Sequence, residues 1–341
     1  MNRGREPPEY VFTDASLVRP VAMRVYFLRM FRLVPGWLAA NVITLLGFGA
    51  AGGMFLLALF SASVSPGTLA AASFVALQAY VVSDHLDGMQ ALASGTASPL
   101  GEFLDHFSDC VSGTFVAFVC LELMPAIEEG VRASLLWLYL LAFIATYQER
   151  AEARRLNFAR FGALEGIVIL SVFLASSALS GGRAFWETPL PGGRPAYWVI
   201  AGIAYAAFGG TVATILVRMR KAPASLVLHA AASATLAFAG TKGVGSGVLD
   251  SWLAWALVSA HGAGYLATVM QPHLFGGRPR VDFPALVLAA GLSFVLVAGD
   301  PRWTQGVALA TLAYLFLSAT RSVYRVLHAY RHAWVWVNPE P

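Results

Sequence analysis

Apolar residues in this chain gather into ten runs, at roughly 40–62, 67–91, 99–121, 132–149, 162–180, 196–217, 224–241, 247–270, 283–299 and 304–321. Short polar or glycine- and proline-bearing breaks separate them. A run of about 20 apolar residues is long enough to cross the roughly 30 Å hydrocarbon core as a helix. A helix also satisfies its own backbone in lipid. The pattern predicts an all-α, polytopic membrane bundle of about ten transmembrane helices. Ahead of the first run, Asp14 to Leu33 interleaves Arg19, Arg24, Arg29 and Arg32 with Val21, Tyr26, Phe27, Leu28 and Phe31. That pattern predicts an amphipathic helix lying in the headgroup layer; an ordinary juxtamembrane linker is the plainer alternative.

Composition agrees with a membrane class. The chain is 57% hydrophobic and only 12% charged, with a mean hydropathy of +0.64, which excludes an ordinary soluble globule. Placing both termini in the cytoplasm puts 18 of the 23 Lys and Arg on the inside. The five left outside are Arg132, Arg183, Arg194, Lys242 and Arg302. This bias favours ten spans with both ends cytoplasmic. It also accounts for the basic pI of about 9.2 without nucleic-acid binding. Arg150, Arg154, Arg155 and Arg160 form a cluster that suits headgroup anchoring or the steering of an anionic substrate. Met1 to Tyr10 is polar, so no cleaved signal peptide is expected. Cys110 and Cys120 fall in one predicted span, where a mutual disulfide is geometrically implausible.

The candidate chemistry is acidic. Asp84 and Asp87 are three residues apart, Asp105 and Asp109 four apart. Both are helix-face spacings, on two successive spans joined by a short turn, Leu92 to Ser98. Carboxylates in a lipid-embedded segment are costly and point to function. Two facing pairs make an oxygen-only pocket, which suits a hard divalent cation such as Mg²⁺ or Mn²⁺. Glu102 lies three residues before Asp105 and shares its face, either as a pocket residue or as a cap on the span. His106 is either functional or a hydrogen-bond partner of its neighbour. Glu149 and Glu165 sit at cytoplasmic span ends, where solvated charges are common. Asn41 suits either a nucleotide contact or a helix–helix hydrogen bond. His85, His229 and His261 read as packed polar groups.

The aspartate stretch resembles the signature of the CDP-alcohol phosphatidyltransferase family, D-x2-D-G-x2-A-R-x8-G-x3-D-x3-D. Asp84, Asp87, Gly88, Ala91, Gly101, Asp105 and Asp109 match it in spacing; Leu92 stands where the family has arginine. Asp87-Gly-Met-Gln90-Ala91 and Ser98-Pro99-Leu100-Gly101-Glu102-Phe-Leu-Asp105-His106 look like the choline/ethanolamine phosphotransferase branch, which reads DGKQARRT and SSPLGELFDHGCD. Tyr10-x3-Asp14-x-Ser16-Leu17 and Asn41-x-Ile43-Thr44-x2-Gly47 are similar to that branch's leading segment and its PN-x-IT-x2-G motif, with Ala40 for the proline. Thr146-Tyr-Gln-Glu149 and Leu164-Glu165-Gly166 match a further pair of branch motifs. The resemblance covers roughly residues 10–170.

The resemblance implies that Asp84, Asp87, Asp105 and Asp109 hold two cations. It makes Asp109 the candidate base, with Glu102 and His106 as catalytic candidates. Asn41, Asp84, Gly88, Ala91, Glu149 and Glu165 become candidate contacts for the CDP-alcohol. Gly88 and Ala91 would let the nucleotide approach the helix, and Gly101 would let spans two and three pack closely. Chain organisation follows: 1–36 a cytoplasmic segment with the interfacial helix, 37–180 a catalytic transmembrane core, 181–322 further transmembrane helices, 323–341 a cytoplasmic tail. The expected activity is transfer of phosphocholine or phosphoethanolamine from its CDP form to diacylglycerol, releasing CMP, by a multi-pass homodimer with a cytoplasmic active site. Alternatives are phosphatidyl transfer from CDP-diacylglycerol to a small polar alcohol, or a degenerate homologue that binds nucleotide or lipid. A transporter is disfavoured, because paired mid-membrane helix breaks are not found. With Met89, Leu92 and Ala93 in place of basic residues, the site is less cationic than the branch pattern.

Overall fold

The computed structural model describes residues 11–153, 155–158, 162–276, 281–298 and 301–333. Tyr10, Arg154, Arg160, Arg278, Arg280 and the end of the tail lie outside the described residues, as do Arg3 and Arg5. In chain order the elements are β1 (Val11–Asp14), α1 (Arg19–Ala22), a π-helical turn (Met23–Phe27), α2 (Leu28–Phe31), α3 (Ala40–Leu59), α4 (Pro66–Ala93), α5 (Pro99–Glu122) and α6 (Glu129–Ala153). They continue with β2 (Arg155–Phe158), α7 (Ala163–Ala178), α8 (Gly182–Glu187), α9 (Trp198–Met219), α10 (Ala224–Gly245), α11 (Ser251–Phe275), α12 (Phe283–Ala298) and α13 (Pro301–Ala329).

Eight of the described helices are long and apolar enough to cross a membrane: α3 to α6, α9 to α11 and α13. This is the make-up of a multi-pass membrane protein. The fifth and ninth expected runs form α7 and α12, apolar helices of 16 residues each. At 1.5 Å per residue each is about 24 Å long, short of the hydrocarbon thickness. The structure is overwhelmingly helical, as the sequence predicts, with one short addition. β1 and β2 pair in parallel, from Val11 opposite Arg155 to Asp14 opposite Phe158. Asp14, expected at the head of the amphipathic helix, is therefore the last residue of a strand. Helical structure after this strand begins at Arg19, with Pro20 in its first turn, where a missing N–H costs nothing. It ends at Phe31, ahead of Pro35.

The chain divides into two compact units. One holds Met1–Asp14, Trp137–Phe158 and Phe208–Tyr330. Within it α10 packs on α11 and α12, and α13 packs on α11 and α12. His229 stacks on Tyr265, ring centroids 4.1 Å apart, and Ser233 Oγ lies 2.8 Å from His261 Nδ1. The other unit holds Ala15–Leu136, Ala159–Ala207 and Arg331–Pro341. Here α3 packs along α4 and α5, and α4 packs on α7. Cys110 and Cys120 are buried thiols of α5.

Two small residues set the close approach of α3 to its neighbours. A Cβ on Gly47 would stand 2.7 Å from Ser83 Cβ in α4. A Cβ on Gly101 would stand 3.2 Å from Asn41 Oδ1 in α3. Gly101 thus seats α5 against α3, whereas the sequence suggested that it seats α5 against α4. Gly47→Ala is expected to force α3 and α4 apart at a cost of about 1–3 kcal/mol, the usual range for overpacking. Gly49→Ala, whose new methyl would meet nothing within 4 Å, is expected to be neutral or to stabilise by up to about 1 kcal/mol through helix propensity. Chemical unfolding of both variants in detergent, followed by tryptophan fluorescence, checks the contrast.

Candidate active site

The site is built where α4 ends and α5 begins. Ser98 caps α5, its hydroxyl accepting from Gly101 N at 3.1 Å, and Pro99 occupies the first turn. α4 closes with Gly95 at φ +66° and Thr96 N bonded to Ala91 O at 2.9 Å. Gly tolerates this left-handed position without steric cost. The result is a tight reversal that brings two aspartate-bearing turns together. Gln90 fastens the preceding loop to α4, its Nε2 donating to the carbonyls of Leu38 (2.8 Å), Gly36 (3.2 Å) and Pro35 (3.4 Å). This sets the start of α3 beside the same turns.

The four aspartates converge. Asp84 of α4 lies within hydrogen-bonding reach of both Asp105 and Asp109 of α5. Asp87 and Glu102 are close enough to Asp105 for their charges to act on it. One ligand atom each from Asp105, His106 and Asp109 lies within 4.8 Å of the others. Asp87 is the most enclosed, 4% exposed. Thr44 Oγ1 in α3 donates to its Oδ2 at 2.5 Å, and Gly88 N donates to its Oδ1 at 2.6 Å. Tyr80 OH donates to Asp109 Oδ1 at 2.9 Å. His106 Nδ1 is 3.5 Å from Asp105 Oδ2, and His85 Nδ1 is 3.1 Å from Asp84 Oδ2.

This donor set fits a divalent cation. Ionised carboxylates within hydrogen-bonding reach of one another repel. A hard cation among them turns that repulsion into ligation, and oxygen donors are its preferred ligands. Asp105, His106 and Asp109 are the three whose ligand atoms gather at one point, with Asp84 approaching from α4 and Asp87 one turn along that helix.

The other predicted residues fall in different places. Asn41 is buried at the start of α3 against Gly101. Gly88 faces space, with nothing within 4 Å of a Cβ built there; Ala91 lies one turn on. Glu102 occupies the first turn of α5, where a negative charge is favoured by the helix dipole. Leu92, in the family's arginine position, is 78% exposed at the end of α4. Glu165 is engaged in holding the N-terminal segment. Its Oε1 accepts from Ser16 Oγ (2.6 Å), Leu17 N (2.8 Å) and Val18 N (3.1 Å), and its Oε2 accepts from Gly162 N (2.8 Å). In the other unit Glu149 is buried and meets Arg218 through two bonds of 2.6 Å.

Three contacts at the site escape a motif reading. Tyr80 precedes Asp84 by four residues, a same-face spacing that could have flagged it. Thr44 is a residue of the motif matched at the head of α3, yet its bond to Asp87 crosses helices and leaves no trace in spacing. His85 reads as a structural residue but touches a predicted metal ligand.

The sequence profile described as CDP-alcohol phosphatidyltransferase matches residues 37–261. Cholinephosphotransferase 1 of Bos taurus is 28% identical over 203 residues, 55% of this chain and 47% of its own length. In Saccharomyces cerevisiae, cholinephosphotransferase 1 is 26% identical over 191 residues, 53% of this chain and 47% of the relative. The choline/ethanolaminephosphotransferase 1 of the same yeast is 26% identical over 188 residues, 53% of this chain and 48% of the relative. The chain thus spans about half the length of the curated relatives it matches.

Thr44→Val removes the donor from a buried carboxylate while keeping the side chain's shape. Hydrogen bonds to charged groups contribute about 1.5–3 kcal/mol, so Thr44→Val is expected to lower unfolding free energy by that amount. Thr44→Ser, which keeps the hydroxyl, should lose far less. Denaturant midpoints of the two variants in one detergent test the assignment.

Proposed function

The chain belongs to the CDP-alcohol phosphatidyltransferase family, and from that premise we propose that it transfers a phospho-alcohol of the phosphocholine or phosphoethanolamine type from its CDP form to diacylglycerol, releasing CMP. The single observation that carries this reading is the approach of Asp84 to Asp105 and Asp109 across α4 and α5. The three relatives described above, cholinephosphotransferases and a choline/ethanolaminephosphotransferase, support the donor class.

When bound, a pair of Mg²⁺ or Mn²⁺ ions would neutralise the pyrophosphate and the leaving CMP. In this reading Asp84, Asp87, Asp105 and Asp109 hold the two ions. Gly88 and Ala91 leave room for the nucleotide along α4. Asp109 takes the proton of the acceptor hydroxyl, with Tyr80 fixing the orientation of its Oδ1. The hydroxyl oxygen forms a bond to the phosphorus that bears the alcohol, and the bond from that phosphorus to the CMP oxygen breaks. Glu102 and His106 stand on the same turns of α5 as supporting groups. Asn41 and Glu165 are the remaining contacts proposed for the CDP-alcohol.

A neutral lipid acceptor suits this site better than an anionic one. Carboxylates dominate the pocket and repel an anion, and Met89, Leu92 and Ala93 supply no positive charge. An apolar cleft of about 270 Å³, bordered by Phe74, Val81, Leu164, Ile167 and Val172, runs beside α4 and α7. It supports lateral access for an acyl chain. The same reading takes α7 and α12 as spans, giving ten, with both termini and the site cytoplasmic in accord with the 18 to 5 charge bias. It lays the segment Arg19–Phe31 in the headgroup layer and, following the family resemblance, makes the protein a homodimer.

Purified protein given radiolabelled CDP-choline or CDP-ethanolamine, diacylglycerol and Mg²⁺ or Mn²⁺ should yield labelled lipid and CMP, and a chelator should abolish both. Faster CMP release from CDP-diacylglycerol with glycerol 3-phosphate or inositol phosphate would reject the assignment. In the same assay Asp109→Asn should retain CDP-alcohol binding while turnover falls on the order of 10²-fold or more. Unchanged turnover would move the base role to Glu102 or His106.

A further inference from the structure

We propose that His85 is a positioning residue for Asp84, and that Phe27 of the N-terminal segment holds it in place. The inference rests on the reading of Asp84 as a cation ligand. His85 Nδ1 stands between two oxygens, 3.0 Å from Val81 O and 3.1 Å from Asp84 Oδ2. A main-chain carbonyl only accepts, and so does an ionised carboxylate, so Nδ1 is the ring nitrogen that carries the proton. The N–H is bonded to the backbone of its own helix one turn back, and this holds the ring against the Asp84 carboxylate.

The ring is fixed from its face as well. Phe27 stacks on it with centroids 3.8 Å apart and planes 8° from parallel. Phe27 ends the π-helical turn Met23–Phe27 and is 1% exposed, while Val21, Val25 and Leu28 of the same segment are 63%, 50% and 45% exposed. A π turn is often found at functional sites. Here the segment places one aromatic ring inward, and that ring lies on the imidazole that touches Asp84. Ligand-orienting partners of this kind typically change metal affinity 10–100-fold when removed.

The test is Mn²⁺ binding to purified protein without substrate, read as free Mn²⁺ by electron paramagnetic resonance. His85→Leu keeps bulk and loses the donor; its Mn²⁺ Kd is expected to rise about tenfold or more. His85→Asn places an N–H where Nδ1 stood and should restore most of that affinity, a rescue that a purely space-filling role would not give. Phe27→Leu keeps an apolar side chain and loses the flat stack; its Kd should rise severalfold, and it carries the test if His85→Leu does not fold. Asp84→Asn is the control. If Asp84→Asn weakens Mn²⁺ binding while His85→Leu and Phe27→Leu leave it unchanged, the positioning role is overturned and the metal site stands. If His85→Asn binds as poorly as His85→Leu, the N–H is not the operative group and the proposal fails. If Asp84→Asn binds Mn²⁺ normally, both the metal reading and this inference fail.

Discussion

Like charges held together inside an apolar bundle are the constraint on which the rest of this structure depends. Two ionised carboxylates 4 Å apart repel by about 4 kcal/mol at an effective dielectric constant of 20, and Asp84 approaches two others. Hydrogen bonds to charged groups contribute about 1.5–3 kcal/mol each. The Thr44 and Tyr80 hydroxyls orient Asp87 and Asp109 but offset only part of a repulsion on that scale. Whole domains are stable by only about 5–15 kcal/mol. Bound cations or protons would relieve that repulsion, and the backbone around the site holds the carboxylates close. Gly47 and Gly101 draw α3 against α4 and α5, and the capped reversal at Ser94 to Ser98 fixes where α5 starts.

Local features of this design were legible in the sequence. Spacings of three and four put each aspartate pair on one helix face, and the apolar runs located the ten long or short apolar helices. Features that depend on distant partners were not. The strand Val11–Asp14 exists only because Arg155–Phe158 lies beside it, and nothing in either tetrapeptide distinguishes it from a juxtamembrane linker. Glu165 and Glu149 were recognisable as acidic residues at span ends. That one holds the amides of Leu17 and Val18 and the other holds Arg218 could be found only in three dimensions. Gly101 was correctly read as a close-packing residue, but its partner is Asn41 of α3, because the turn swings the first residues of α5 past the end of α4.

The departure at Leu92 takes on a physical sense in this setting. The side chain is largely exposed, so leucine there costs no buried packing and fills no cavity that an arginine would have occupied. What changes is the field. With Met89 and Ala93 also uncharged, the α4 end of the pocket presents carboxylates with little fixed positive charge to offset them. In the proposed reaction bound cations would supply the attraction for a pyrophosphate, and a neutral hydroxyl would be the acceptor that the remaining charges repel least.

Polar side chains in this unit serve mainly to fasten the N-terminal segment to the helices that carry the site. Glu165 receives Ser16, Leu17 and Val18. Gln78 receives Tyr26 at 3.5 Å and donates to Ser171 at 2.9 Å. Gln90 gathers three carbonyls of the loop before α3. Together these bonds fix the register of the segment over α4 and α7. That register is what brings Phe27 onto His85. A chain of ordinary hydrogen bonds thus carries order from the exposed face of residues 17–28 to a carboxylate at the centre of the site.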